Sequence, residues 1–203
     1  MKMERKKQYK KEIARKYTEL ENPEAYLKKI VEINGEKLYW IDKNSDVYLW
    51  ALFGKKASED EAVCLQVGAS IEGREEIKQD IEKMQDSNYS VTDTNDMTAV
   101  NTQFYTDVYY IPRDKDKRVE KSRYQYRKIK EDYAELTFYK IDIDKYLAVD
   151  DVQIENEHVR EIFNLSKAYY AETKFAFDTQ AIYWNAYRSG VGMDTLKQLI
   201  SKE

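Results

Sequence analysis

Two short apolar runs, Val47 to Phe53 and Ala62 to Val67, stand on either side of a polar, glycine-led stretch from Gly54 to Asp60. Runs of that length, rich in aromatic, β-branched and small apolar side chains, predict two buried strands joined as a hairpin. Gly68-Ala69-Ser70 follows, and Ile71, Ile77 and Ile81 then mark a helix to about Met84. Upstream, the pattern predicts a basic helix over Met1 to Tyr17, continuing towards Leu20. Asn22-Pro23 interrupts it, and Pro23 suits the first turn of a second helix, Pro23 to Glu32. An Asn34-Gly35 turn leads into the apolar and aromatic run Lys37 to Ile41, a strand or hairpin.

Downstream, residues 86 to 102 are rich in Asp, Asn, Ser and Thr and predict an exposed loop. Phe104 to Ile111 reads as a strand or short helix ended by Pro112, and a basic helical segment follows. Leu136 to Ile143 alternates with the period of a half-buried strand. Asp150 to Val152 is a turn, Asn156 to Phe177 is one long helix or two, and a last helix starts at Met193. The pattern predicts a mixed α+β fold, a small antiparallel sheet flanked by helices. Residues 1 to 32 form a basic helical extension, and 33 to 203 a single α/β domain with an insertion at 86 to 130.

At 203 residues the chain suits one domain, and it has no Pro/Gly-rich linker to divide it. Its 18 Tyr predict many rings that bury a face and keep a hydroxyl at the surface. A single cysteine, Cys64, excludes a disulfide framework, and a single histidine, His158, excludes a multi-His metal centre. His158, set among Glu155, Glu157 and Glu161, reads as a surface residue. No apolar run approaches the length of a membrane span, and the first residues lack the apolar centre of a signal peptide. The expectation is a soluble cytoplasmic protein with no membrane partner.

The formal net charge is −4, but it is unevenly spread. Residues 1 to 17 hold eight Lys/Arg against two Glu, and residues 112 to 130 hold nine against three acids. The second segment supplies candidate phosphate contacts in Arg113, Lys117, Arg118, Lys121, Arg123, Arg127, Lys128 and Lys130. Arg123, Tyr124, Tyr126, Arg127 and Lys130 are expected on one side of a helix. A solvated charged helix explains the same residues.

Four pieces taken together resemble the GIY-YIG nuclease family. Asp46-Val47-Tyr48 is similar to its Gly-Ile-Tyr motif, with Asp for Gly, and Gln66-Val67-Gly68 to its Tyr-Ile-Gly motif, with Gln for Tyr. Arg74 follows on the next helix, about where the family keeps an arginine. Glu172 on a late helix, with Asn185 thirteen positions on, matches the family's glutamate and the asparagine after it. The spacing between the two strand motifs is longer than is usual in the family. The resemblance covers Val47 to Arg74 and Leu136 to Asn185. It implies a GIY-YIG-like fold and a DNA endonuclease working with one divalent metal, Mg²⁺ or Mn²⁺.

Phosphodiester hydrolysis needs charge stabilised on the non-bridging oxygens and a water held in line. In that scheme Glu172 holds a largely hydrated metal ion, Arg74 pairs with the phosphate through its planar fork, and the resemblance gives Tyr48 the nucleophilic water. Gln66 can donate hydrogen bonds but cannot act as a phenol. Each residue also has a plainer role: Tyr48 as a core ring, Arg74 at a solvated helix start, Glu172 paired with Lys167 or Lys174, Asn185 as a cap. Asp142 and Asp144 alternate with Ile141 and Ile143 and offer a carboxylate pair on one strand face. The alternative function is a non-catalytic interaction or inhibitor protein, of phage or mobile-element type, that binds nucleic acid or a protein partner. A homodimer is compatible with either.

Overall fold

A computed structural model describes residues 20–86, 115–148, 153–179 and 181–184. Five strands, β1 (Leu27–Asn34), β2 (Lys37–Trp40), β3 (Leu49–Lys55), β4 (Val63–Ala69) and β5 (Glu135–Ile141), form one sheet in the order β2-β1-β5-β3-β4. Every pairing is antiparallel. Four α-helices are described: α1 (Gly73–Gln85), α2 (Lys115–Asp132), α3 (Ile143–Leu147) and α4 (Glu157–Thr179). The fold is therefore the mixed α+β class expected, with the antiparallel sheet between helices.

The sheet is covered on both faces. On one, Ile77, Ile81 and Met84 of α1 and Tyr126, Ile129 and Tyr133 pack over Trp50, Leu52, Leu65 and Phe138. On the other, Ala171, Phe175 and Ala176 of α4 meet Leu49, Ala51, Cys64 and Val67. Interior strand β3 runs Leu49-Trp50-Ala51-Leu52 with each residue at most 1% exposed, so both sides of the strand are apolar. Tilted or edge-on ring pairs, Trp50–Phe138 at 5.6 Å and Phe53–Tyr139 at 5.4 Å, extend the packing between strands.

Three expectations change. Pro23 opens only a 3₁₀ turn, Pro23–Ala25, and Leu27–Asn34 is a strand, not a helix. Ile30, Val31 and Ile33 are buried there, and pairing on two sides, with β2 and with β5, outweighs the helix-start signal of the proline. The boundary drawn at residue 32 thus falls inside β1. The stretch read as an insertion ends in a core helix, because Tyr126 and Ile129 of α2 lie wholly out of water against the sheet. Asp142 and Asp144 form no strand-face pair. Asp142 caps α3 by accepting from the Lys145 amide at 3.3 Å, and Asp144 pairs with Lys167 at 2.7 Å. The expected elements at 1 to 17, 104 to 111, 150 to 152 and from 193 lie outside the described residues.

The Asn34-Gly35 turn is found where expected. Gly35 turns the β1–β2 hairpin at φ 56°, the left-handed region that favours glycine. Gly68 is required by packing: a Cβ there would come within 2.5 Å of the Trp50 ring, which is itself buried. Gly68→Ala is therefore expected to destabilise the fold by about 1–3 kcal/mol, since the Trp50 ring has no room to move aside. Urea denaturation measures this, and an unchanged midpoint would refute the close packing.

Candidate functional site

Arg74 stands on the first turn of α1, where the motif order puts it, but its guanidinium is turned to the chain's own backbone. Nη1 donates to the Asp42 carbonyl at 2.9 Å and Nη2 to the Ser45 carbonyl at 2.5 Å. The Asp42 carboxylate lies 3.6 Å away. A planar fork suits this bridging of two carbonyls as well as it suits a phosphate. The result pins the connection between β2 and β3 to α1. Asp42 tightens the same loop by accepting from the Asn44 and Ser45 amides, both at 3.0 Å. Hydrogen bonds from Ser45 and Asn44, with the Arg74 charge beside them, hold the Asp42 carboxyl down to about 2.

Tyr48 precedes β3 at the same end of the sheet, and its carbonyl accepts from the Ser70 amide at 2.9 Å. Its side chain is 36% exposed. Gln66 lies in the middle of β4, opposite Leu52, and is wholly buried. Neither of its side-chain polar atoms has a hydrogen-bond partner among the described residues. The residue that the resemblance gives to the catalytic cleft is inside the core.

Glu172 is on α4, across the sheet from α1, and is 2% exposed. Its Oε1 accepts from the Trp184 indole at 2.9 Å. Trp184 ends a short segment that follows α4 and lies against the free side of β4, where the Ile182 amide donates to the Cys64 carbonyl at 3.1 Å and the Tyr183 amide to that of Leu65 at 2.8 Å. Glu172 thereby helps hold in place the chain that covers the sheet edge. A metal ion that keeps several waters needs room around its carboxylate, and a carboxylate buried against an indole does not provide it. Glu172 as placed does not fit such an ion. Among the described residues no group of three or more His, Cys, Asp or Glu could hold a metal.

Arg74 and Glu172 thus belong to layers on opposite faces of the sheet, so these two and Tyr48 do not meet in one cleft. Asn185 and Arg113 lie outside the described residues, as do the side chains of Lys117, Arg118 and Lys121 on α2. Of the remaining basic candidates, Arg123 is exposed, whereas Arg127 donates to the Met84 carbonyl at 2.8 Å, Lys128 pairs with Asp132, and Lys130 donates to the Gly35 carbonyl. The first and last tie α2 to the end of α1 and to the β1–β2 turn. Tyr126, expected beside them on the basic side, is buried and donates to Asp80 at 2.6 Å.

A polar cluster missed in the sequence borders a cavity of about 370 Å³ lined by Tyr26, Tyr146, Lys145 and Asp178 among others. The Tyr146 hydroxyl donates to Asp178 at 2.6 Å, and Lys174 reaches the same carboxylate at 2.5 Å. Burial, then the Asp178 hydrogen bond, pushes the Tyr146 hydroxyl up, so it remains a donor. The i,i+4 spacing of Lys174 and Asp178 was visible; the tyrosine comes from thirty-two residues upstream.

Comparison with protein-family models, curated proteins and solved structures finds no match. Among the described residues no helix is long and apolar enough to cross a membrane.

Two outcomes are expected. A carboxyl held at about 2 in the fold, against an ordinary value near 3.9, stabilises above the ordinary value, and that contribution is lost as pH falls through the lower one. Wild type should therefore lose stability between about pH 4 and pH 2 more steeply than Asp42→Asn, as thermal melts across that window would show; parallel curves would contradict the loop geometry. Gln66→Leu removes an unpaired buried amide with little change of shape and should raise unfolding free energy by about 1 kcal/mol or more. A loss of stability in urea titration would mean that the amide is engaged.

Proposed function

We propose that this chain is a non-catalytic interaction protein built on a nuclease-like order of elements, and that it acts by binding a protein partner. The observation that carries the reading is the employment of Arg74 and Glu172. One is committed to the loop carbonyls of Asp42 and Ser45, the other to the Trp184 indole on the opposite face of the sheet. Groups that must meet a phosphate and a hydrated metal need to be open to them and near each other. The direction of Arg127 and Lys130, inward to carbonyls of the same chain, supports a protein partner over a polyanion.

The DNA endonuclease reading keeps one observation in its favour. The hairpin β3–β4, a helix carrying Arg74, strand β5 and a helix carrying Glu172 follow one another in the order of the resemblance. Supercoiled plasmid incubated with the protein and Mg²⁺ or Mn²⁺ decides between the two. The expected outcome is no cleavage above that given by Glu172→Gln or by EDTA-treated protein. Metal-dependent nicking that Glu172→Gln reduces by orders of magnitude would overturn the binding reading in favour of the nuclease.

A further inference from the structure

The cavity beside Tyr26 is lined by polar groups that the fold does not use. Its wall comes from separate parts of the chain: Glu21 and Asn22 ahead of the 3₁₀ turn, Tyr26 after it, Lys145 and Tyr146 on α3, and Asp178 in the last turn of α4. Tyr26 is only 6% exposed, its carbonyl accepts from the Asp142 amide at 2.9 Å, and its ring meets that of Tyr146 at 5.2 Å. The ring is thus fixed. Its hydroxyl has no hydrogen-bond partner among the described residues, yet it is not sealed from water. A tyrosine so deeply buried ordinarily finds a partner for its hydroxyl, and here the cavity is where one can enter.

The charges around that hydroxyl select the ligand. Lys174 is bound to Asp178 at 2.5 Å and Lys145 to Asp142 at 3.0 Å, so both lysines are spent. Asp178 takes the Tyr146 hydroxyl and Lys174 on the same oxygen, Oδ2, which leaves Oδ1 without a partner among the described residues. Glu21 has no ion pair there either, and Asn22, at φ 46°, makes no cap hydrogen bond with its side chain. Burial, then the charges of Asp178 and Glu21, push the Tyr26 hydroxyl up, so it stays protonated. An anion would meet two carboxylates, and an apolar ligand would leave the acceptors unpaired. A cation satisfies them.

We propose that this cavity binds an alkylguanidinium ion, its planar face against the tyrosine wall and its N–H groups towards Glu21, Asp178 and the Tyr26 hydroxyl oxygen. A guanidinium is weakly hydrated, stacks on aromatic rings and spreads several donors in one plane, which suits acceptors set around a wall better than a compact ammonium does. About 370 Å³ holds the head group with part of its alkyl chain. The group can come from a free guanidino compound or from an arginine of a protein partner; only the second source rests on the function proposed above.

Amide chemical shifts in NMR titrations with butylguanidinium read the site directly. Saturable shifts are expected at Glu21, Tyr26, Lys145 and Asp178, with a dissociation constant on the order of a millimolar. A blocked tripeptide with a central arginine should bind at the same amides, and its uncharged citrulline counterpart should not. Tyr26→Phe, which removes only the hydroxyl, and Glu21→Gln, at an exposed position, should each weaken binding about fivefold or more with unchanged circular dichroism. A tripeptide that binds more tightly than butylguanidinium assigns the group to a protein partner; one that binds more weakly keeps the site and removes its link to that partner. No saturable shift up to about 20 mM, equal binding of the citrulline peptide, or binding indifferent to both substitutions overturns the proposal. Saturable shifts at the same amides with inorganic phosphate overturn it equally.

Discussion

Interior strand β3 has no face in water. Leu49 and Ala51 point to one helical layer and Trp50 and Leu52 to the other, so both layers must be present and must stay in place for the sheet to be stable. Much of the remaining architecture follows from that requirement. Trp50 is too large for its site unless the neighbouring strand gives up a side chain, which Gly68 does. α1 must approach the start of β3 so closely that a Cβ on Gly73 would run into the Val47 carbonyl. Once α1 is that close, Arg74 is within reach of the loop that leads into β3.

Polar residues at the borders of the two layers accordingly work as fasteners. Arg74 joins α1 to the 42–45 loop, Tyr126 and Asp80 join α2 to α1, Lys130 joins α2 to the β1–β2 turn, and Glu172 with Trp184 holds the segment along β4. Each link satisfies a donor or acceptor that would otherwise be partly desolvated without a partner. A side chain so employed is poorly suited to leave its partners for a substrate. Gln66 is the exception in the opposite sense: it sits among apolar neighbours with its amide unpaired by any described residue.

Much of the sheet was legible in the chain. The β3–β4 hairpin, α1, β5 and the long α4 all announced themselves through period and punctuation, because each presents an apolar face long enough to outweigh its polar residues. β1 does not show itself in the pattern because Pro23 mimics a helix start and Lys28, Lys29 and Glu32 dilute the β-branched run; pairing with β2 and with β5, about a hundred residues away, decides it. In α2 and just beyond it the density of Lys and Arg masks the spacing of Tyr126, Ile129 and Tyr133, which is the signal of a buried face. The site was less legible than the fold for a related reason. Arg74 and Glu172 were in the expected order along the chain, but order does not say what a guanidinium or carboxylate touches. Their partners, the carbonyls of Asp42 and Ser45 and the indole of Trp184, are backbone and aromatic groups that no motif records.

Arg74 and Glu172 hold the fold together. The most direct test of this is the unfolding free energy of Arg74→Ala and Glu172→Ala, measured by urea denaturation at neutral pH. Removing either should break a hydrogen bond shielded from water in part, at Arg74, or wholly, at Glu172, and lower stability by about 2 kcal/mol or more. Residues reserved for a substrate or metal would behave otherwise, and variants as stable as wild type, or more so, would contradict the account.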